Sequence, residues 1–339
     1  MSARGRYIPP ALRQRTEEYR RRERAGMGKP LDRMERLAMI SRSGGSDDDN
    51  DTLKDFKIQE DFQEYIDKHI SAYQAANAFP PPLNDDGTSS LSPSQLETLT
   101  NILIMLRKLR EGILASQRVD RFAVEAYEMS ARLAVYCQED KALSSVFGHL
   151  VPDLYDEADE AMLTTGLLYL TTGTTPAAPN PNGALVTSNR DEFTAVYLLH
   201  LLHTAYPSQQ DFLSRLKDLS PPTSATFQLV AVTAAYVRRG NFWALSQLVL
   251  RPSPIRSDLV QRMLIVILAK TRSRTWATLK AAYMQLQLDR GNWLCSVLGF
   301  EKAATVEVFM KERAKQGEVV KKDATVPTWT IQKAAKGKS

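Results

Sequence analysis

The chain has 339 residues, 43% of them hydrophobic, and carries a net charge of +5. That length suits two domains with a sizeable core, and the mild basicity is compatible with a nucleic-acid partner without requiring one. The first twenty residues are charged with no apolar run, and no stretch is apolar for long enough to cross a bilayer, so the pattern predicts a soluble intracellular chain. Cys137 and Cys295 both sit inside apolar helical patterns, where cysteine behaves as a small hydrophobe. They imply no disulfide framework, which fits a reducing compartment.

Residues 1–51 read as a tail. Arginines crowd its start (Arg4, Arg6, Arg13, Arg15, Arg20, Arg21, Arg22, Arg24), and apolar residues are too sparse to offset the entropy of ordering it. The tail changes sign at Ser46–Asp51, a run that reads as an acidic hinge. Within it, Arg6-Tyr7-Ile8-Pro9-Pro10-Ala11-Leu12-Arg13 pre-sets an extended backbone through its proline pair. Tyr7 and Leu12 could then be offered to a short-motif partner at reduced entropic cost.

Helical periodicity begins at Leu53, with Phe56, Phe62, Tyr65, Ile66, Ile70 and Tyr73 on one face, and ends at Phe79-Pro80-Pro81-Pro82. After a polar loop over 84–93, apolar stripes predict a succession of helices: 96–110, 122–136, 142–155, 157–170, 193–206, 209–219, 223–239, 242–250 and 257–270. Short links such as Arg238-Arg239-Gly240-Asn241 join them, as a stacked antiparallel helical repeat requires, TPR-like in geometry only. Thr171–Asn189, rich in threonine, proline and glycine, interrupts the stack as a long surface loop.

The last stretch changes character. Met284–Leu288 alternates polar and apolar residues, as a strand does. Asp289 can N-cap a helix bearing Trp293, Leu294, Val297 and Leu298, which Gly299 stops. A second helix carries Val306, Phe309 and Met310 on one face and closes at Gly317. Glu318–Lys322 and Thr328–Gln332 then read as two strands separated by Asp323 and Pro327. Strand, helix, helix, strand, strand is the order of a winged-helix module. The resulting fold class is mainly α: a helical-repeat stack followed by an α/β winged helix. Its divisions are a tail over 1–51, a helix and linker over 52–93, the repeat domain over 94–272, the winged helix over 273–332 and a basic tail over 333–339.

This C-terminal pattern resembles the closing half of a PCI domain, the helical-repeat-plus-winged-helix module of the proteasome lid, the signalosome and the third eukaryotic initiation factor. Leu286, Leu288, Leu294, Leu298-Gly299-Phe300-Glu301, Val306 and Phe309 carry the resemblance. Further upstream, Leu106–Gly112, Val119–Glu128 and Ala131-Arg132-Leu133-Ala134, with Arg238-Arg239-Gly240-Asn241-Phe242, resemble the GANP branch of that family. The chain departs from the branch in the 171–189 insertion and after Ala134. The resemblance implies a non-catalytic scaffold in the nucleus that couples transcription, mRNA processing and mRNA export and has a second PCI protein as partner. A proteasome-lid or signalosome subunit and a cytoplasmic translation-initiation scaffold are the alternatives. In PCI proteins the wing strands pair edge to edge with another winged helix, which makes Val319 and Val320 the expected partner interface.

No catalytic, cofactor or metal motif stands out. His200 and His203 lie at i and i+3 on an apolar helix, but no third ligand is near in sequence. There is no C-x-x-C, G-x-S-x-G, H-E-x-x-H or phosphate-binding glycine loop. Basic residues offer other chemistry: Arg107, Lys108 and Arg110 on one helix, Lys270, Arg272 and Arg274 on another, and Lys333, Lys336 and Lys338 at the end. On the winged helix, Lys302, Lys311, Arg313, Lys321 and Lys322 are expected to track the phosphates of single-stranded RNA or DNA, with Trp329 stacking on a base.

Overall fold

The computed structural model describes residues 33–39, 52–84, 87–172, 189–250, 257–287, 293–300, 302–322 and 328–332. Tyr7 and Leu12, the acidic run at 46–51, most of the 171–189 loop, Asp289, Glu301, the 323–327 connection and the terminal lysines lie outside them.

Short polar residues start the helices of the stack. Helix α1 is Arg33–Met39 and α2 is Phe56–Ala76, where the Asp55 carboxylate accepts from the amides of Lys57 and Ile58. In α3, Pro93–Ser116, Ser92 and Gln95 cap each other's backbone reciprocally and Pro93 occupies the first turn, where its missing N–H costs nothing. Asp120 caps α4, Arg121–Cys137. There follow α5, Asp140–His149; α6, Tyr155–Thr172; α7, Arg190–Thr204; α8, Gln210–Leu219; α9, Ala225–Arg239; α10, Phe242–Leu250; and α11, Asp258–Ala282. Helices α2 to α5 pack in chain order, and α7 lies along α11, so that one continuous core runs through the stack.

The winged helix consists of β1, Gln285–Gln287; α12, Trp293–Leu298; α13, Ala303–Lys315; β2, Val319–Lys322; and β3, Thr328–Ile331. Its three strands are antiparallel in the order β1-β3-β2. Leu286, Val319, Trp329 and Ile331 face a second core with Leu294, Leu298, Val306, Phe309 and Met310. Gly299 ends α12 with φ +69°, a conformation that costs glycine little, and a Cβ there would lie only 2.6 Å from Leu268. The mainly helical stack with a terminal winged helix is therefore the observed architecture.

Four expectations change. The helix expected over 257–270 continues to Ala282, so the boundary at residue 272 falls inside an unbroken helix. The core nevertheless changes owner there, because Leu268 belongs to the first cluster and Trp276 and Leu279 to the second. The break expected near residue 156 comes earlier, in a wide turn over Leu150–Leu154 where Val151 is extended (φ −125°, ψ 118°). Pro152 crowds its predecessor out of helical backbone. Phe56, expected on the buried face of its helix, is half exposed beside Arg118. Finally, the tail is not structureless throughout. Met34, Leu37 and Ala38 form a small apolar stripe by which α1 docks on the core, and Lys108 Nζ donates to the carbonyls of Leu37 and Ala38 at 3.0 and 2.7 Å.

Candidate interaction surfaces of the winged helix

The ladder of the sheet decides which backbone groups are free. The Gln332 amide donates to Glu318 O, and register then makes Val320–Thr330 and Lys322–Thr328 the bonded pairs of β2 and β3. The amides of Val319 and Lys321 consequently turn to the outer edge, where no described strand pairs with β2. Side chains alternate across the same strand. Val319 is 1% exposed in the core, and Val320 is 50% exposed on the opposite face. The two valines expected to form one interface thus have separate tasks: one holds the module together and the other faces solvent.

The expected nucleic-acid set does not converge on one face. Trp329 is 2% exposed at the centre of the sheet, so its ring cannot stack on a base; this expectation is corrected. Alternation places Trp329 on the helix-facing side of the central strand, and Lys321, opposite it in register, rests with Nζ 5.9 Å from the indole centroid. Lys322 points to the other side. Lys311 pairs with Glu307 at 3.2 Å, one turn away on α13, while Lys302 stands exposed before the same helix. Arg313 is not a free surface charge either. Its guanidinium lies 4.7 Å from the Phe309 ring centroid, bonds Gln316 Oε1 at 3.0 Å and approaches Glu318 at 3.5 Å.

Glu318, which sequence reasoning passed over, is the hub of this corner. Its carboxylate accepts from Trp276 Nε1 at 2.7 Å and from Lys280 Nζ, tying α11 to the start of β2. Partial burial opposes its charge, but the bonds from Lys280 and Trp276, with Arg313 nearby, hold its carboxyl below the usual range. Arg272 is equally structural. It is buried, donates to Leu298 O at 2.8 Å and Gly299 O at 3.2 Å, and stacks 4.0 Å from the Phe300 ring centroid. It therefore satisfies the orphan carbonyls ending α12 and clamps the winged helix to α11. Between α11 and α13 a cleft of about 620 Å³ is lined by Ala269, Phe300, Val308, Phe309 and these two arginines. Both guanidinium groups in it are already engaged.

The basic helix of the stack is consumed in the same way. Arg107 pairs with Glu111 at 2.7 Å, Lys108 holds α1, and Arg110 is buried 5.4 Å from the Tyr127 ring centroid. Lys270 donates to His203 O at 2.5 Å.

A further cluster was invisible in the sequence because its members lie on different helices. Asp140 of α5 approaches His200 Nδ1 at 3.6 Å and His203 Nε2 at 3.4 Å, and Ser144 Oγ lies 2.9 Å from His200 Nε2. Burial lowers the pKa of His200 to about 4, although Asp140 opposes the shift. The atoms follow the order of a serine hydrolase relay. However, Ser144 stands in the middle of α5, where the surrounding amides are spent on the helix and cannot bind an oxyanion. Among the described residues no group of three His, Cys, Asp or Glu side chains could hold a metal ion, and no described helix is long and apolar enough to cross a membrane. No family model and no curated protein matches the chain.

Proposed function

We propose that this protein is a non-catalytic PCI-type scaffold. Its winged helix joins a second PCI protein edge to edge, within a nuclear assembly that couples transcription, mRNA processing and mRNA export. The observation that carries this reading is the outer edge of β2, whose Val319 and Lys321 amides turn away from their own sheet. Added strand pairing satisfies such groups directly. The edge is held by a helix, α11, that runs without a break from the stack core into the winged-helix core. A partner docked on β2 is thereby oriented with respect to the whole stack. The resemblance of Leu298-Gly299-Phe300-Glu301 and of the Val119–Glu128 stretch to the PCI and GANP patterns supplies the cellular context.

The ladder separates the two positions for a test. Lys321→Pro removes an amide that faces outward and leaves the β2–β3 bonds intact, whereas Val320→Pro removes an amide within the protein's own ladder. With the complex purified from native cells, Lys321→Pro should lose the partner while its melting curve stays that of wild type. Val320→Pro should lower the melting temperature as well. Wild-type recovery of the partner by Lys321→Pro would defeat edge pairing, and a recovered partner lacking a PCI domain would defeat the class.

A further inference from the structure

The shoulder where the stack meets the winged helix bears three aromatic rings, of which Trp243 and Tyr283 belong to neither core and Trp293 packs at the rim of the second. Trp243, in the first turn of α10, is 54% exposed, and Tyr283, just after α11, is 44% exposed. The Tyr283 ring lies 5.6 Å from that of the half-buried Trp293, the first residue of α12. Helices α10 and α12 touch through a hydrogen bond from Ser246 Oγ to Ser296 O. Gln261 Nε2 donates to Val249 O at 2.7 Å, which places the end of α10 beside the start of α11. Arg272 meets the end of α12, and Trp293 meets the end of α11. Helix α12 therefore runs antiparallel to α11, and α10 packs against both. Trp243 and Trp293 each precede the serine of that contact by three residues, about one helical turn.

Charge selects what these rings face. Residues 220–257 contain four arginines and no aspartate or glutamate, in a chain with 39 acidic residues. The sequence of α12 also lacks an acid. Arg238 and Arg239 are exposed in the turn that leads into Trp243. An acid-free stretch with exposed guanidinium groups and the open rings of Trp243 and Tyr283 has the two elements that bind single strands without reading sequence: cations for phosphates and rings on which bases stack.

We infer that Trp243, Trp293 and Tyr283, flanked by Arg238 and Arg239, form a stacking platform for single-stranded RNA. The site is distinct from the β2 edge and does not depend on the pairing proposed there. Nucleic-acid binding thus moves from Trp329, where sequence reasoning placed it, to this shoulder.

The 339-residue chain is titrated with two fluorescent 15-mers of equal charge, oligouridine and its abasic ribose-phosphate analogue. Their affinity ratio cancels the charge contributed by the arginine-rich N-terminal residues. Wild type should prefer the oligouridine, and Trp243→Ala should lose about 5- to 150-fold in oligouridine affinity, the loss expected for one stacked base, with little change for the abasic strand. Arg239→Glu should weaken both strands and flatten the salt dependence. Lys302→Glu, on the winged helix, should leave the affinity ratio unchanged. Equal affinity of wild type for the two strands, or a Trp243→Ala protein that retains the full ratio, overturns the platform. So does a Trp243→Ala protein that loses self-association or its protein partner while keeping RNA, since the patch would then be a protein interface.

Discussion

In the helical stack, Arg118 is buried between Phe56 and Phe122, 4.5 and 4.0 Å from their ring centroids, and bonds Glu60 and Asp120 at 2.8 Å each. On the winged helix, Lys302 and Lys322 stand in solvent on separate elements. The stack turns some of its cations, such as Arg118, into internal clamps, whereas these two lysines of the winged helix stay outside. Guanidinium suits the first task because it is planar, keeps its charge and offers several donors in fixed directions. Ammonium on a flexible stem suits the second. The contrast explains why a count of basic residues is a poor guide to a binding face: most of the arginines that looked available close helix ends or cover rings.

Arg272 belongs to the clamps although it serves the winged helix, and removing it should break the contrast most severely. Arg272→Ala leaves the carbonyls of Leu298 and Gly299 without their charged donor. Each such bond contributes about 1.5–3 kcal/mol, so urea unfolding should show a loss of about 3–6 kcal/mol. Arg272→Lys should recover only part of it, since a point charge cannot span both acceptors. A loss below 1 kcal/mol, on the order of a surface substitution, would mean that the clamp is not structural.

A second test asks whether the interior of the stack tolerates charge that it does not clamp. His200 is buried, with Asp140, His203 and Ser144 around it and Lys270 beyond His203. Its pKa falls from 6.5 unfolded to about 4 folded, so between those values the folded state holds fewer protons than the unfolded one. Stability is therefore complete above pH 6.5 and is lost as pH falls toward 4, by about 3 kcal/mol for this group. His200→Gln, a neutral replacement, should remove that part of the pH dependence. The check is the difference between wild-type and variant unfolding curves at pH 7.5, 5.5 and 4.5; curves that stay parallel across this range would place the His200 pKa near its ordinary value.

The smallest effect is expected where the cations are outside. Lys302→Glu with Lys322→Glu should move the melting temperature by no more than about 2 °C, because exposed charges contribute little to stability. A larger drop would show that these lysines, too, support the fold.

Much of the fold was legible in the chain. The apolar stripes of α2, α3 and α4 follow the helical period, and Gly240, Gly299 and Gly317 end helices with positive φ as expected. Alternation in Gln285-Leu286-Gln287 and the order of elements after it identified the winged helix. The site was less legible. Val319 and Val320 read alike until pairing put them on opposite faces, and Trp329 looked like a surface aromatic because it sits in a polar stretch. In a three-stranded sheet the central strand is covered by both neighbours and by the helices behind it, and a polar flank in sequence does not alter that. Asp140 and His200 are 60 positions apart, and only the packing of α5 on α7 brings them together.

The sequence by itself determined the periodicities, the helix stops, the two-part architecture and the acid-free strip over 220–257, because each depends on residues close together in the chain. Only the tertiary structure decided which cations are clamps, which strand is central and which aromatic rings remain exposed. Those properties depend on what a neighbouring element supplies. The carbonyls at the end of α12 drew Arg272 inside, and nothing in either core covered Trp243.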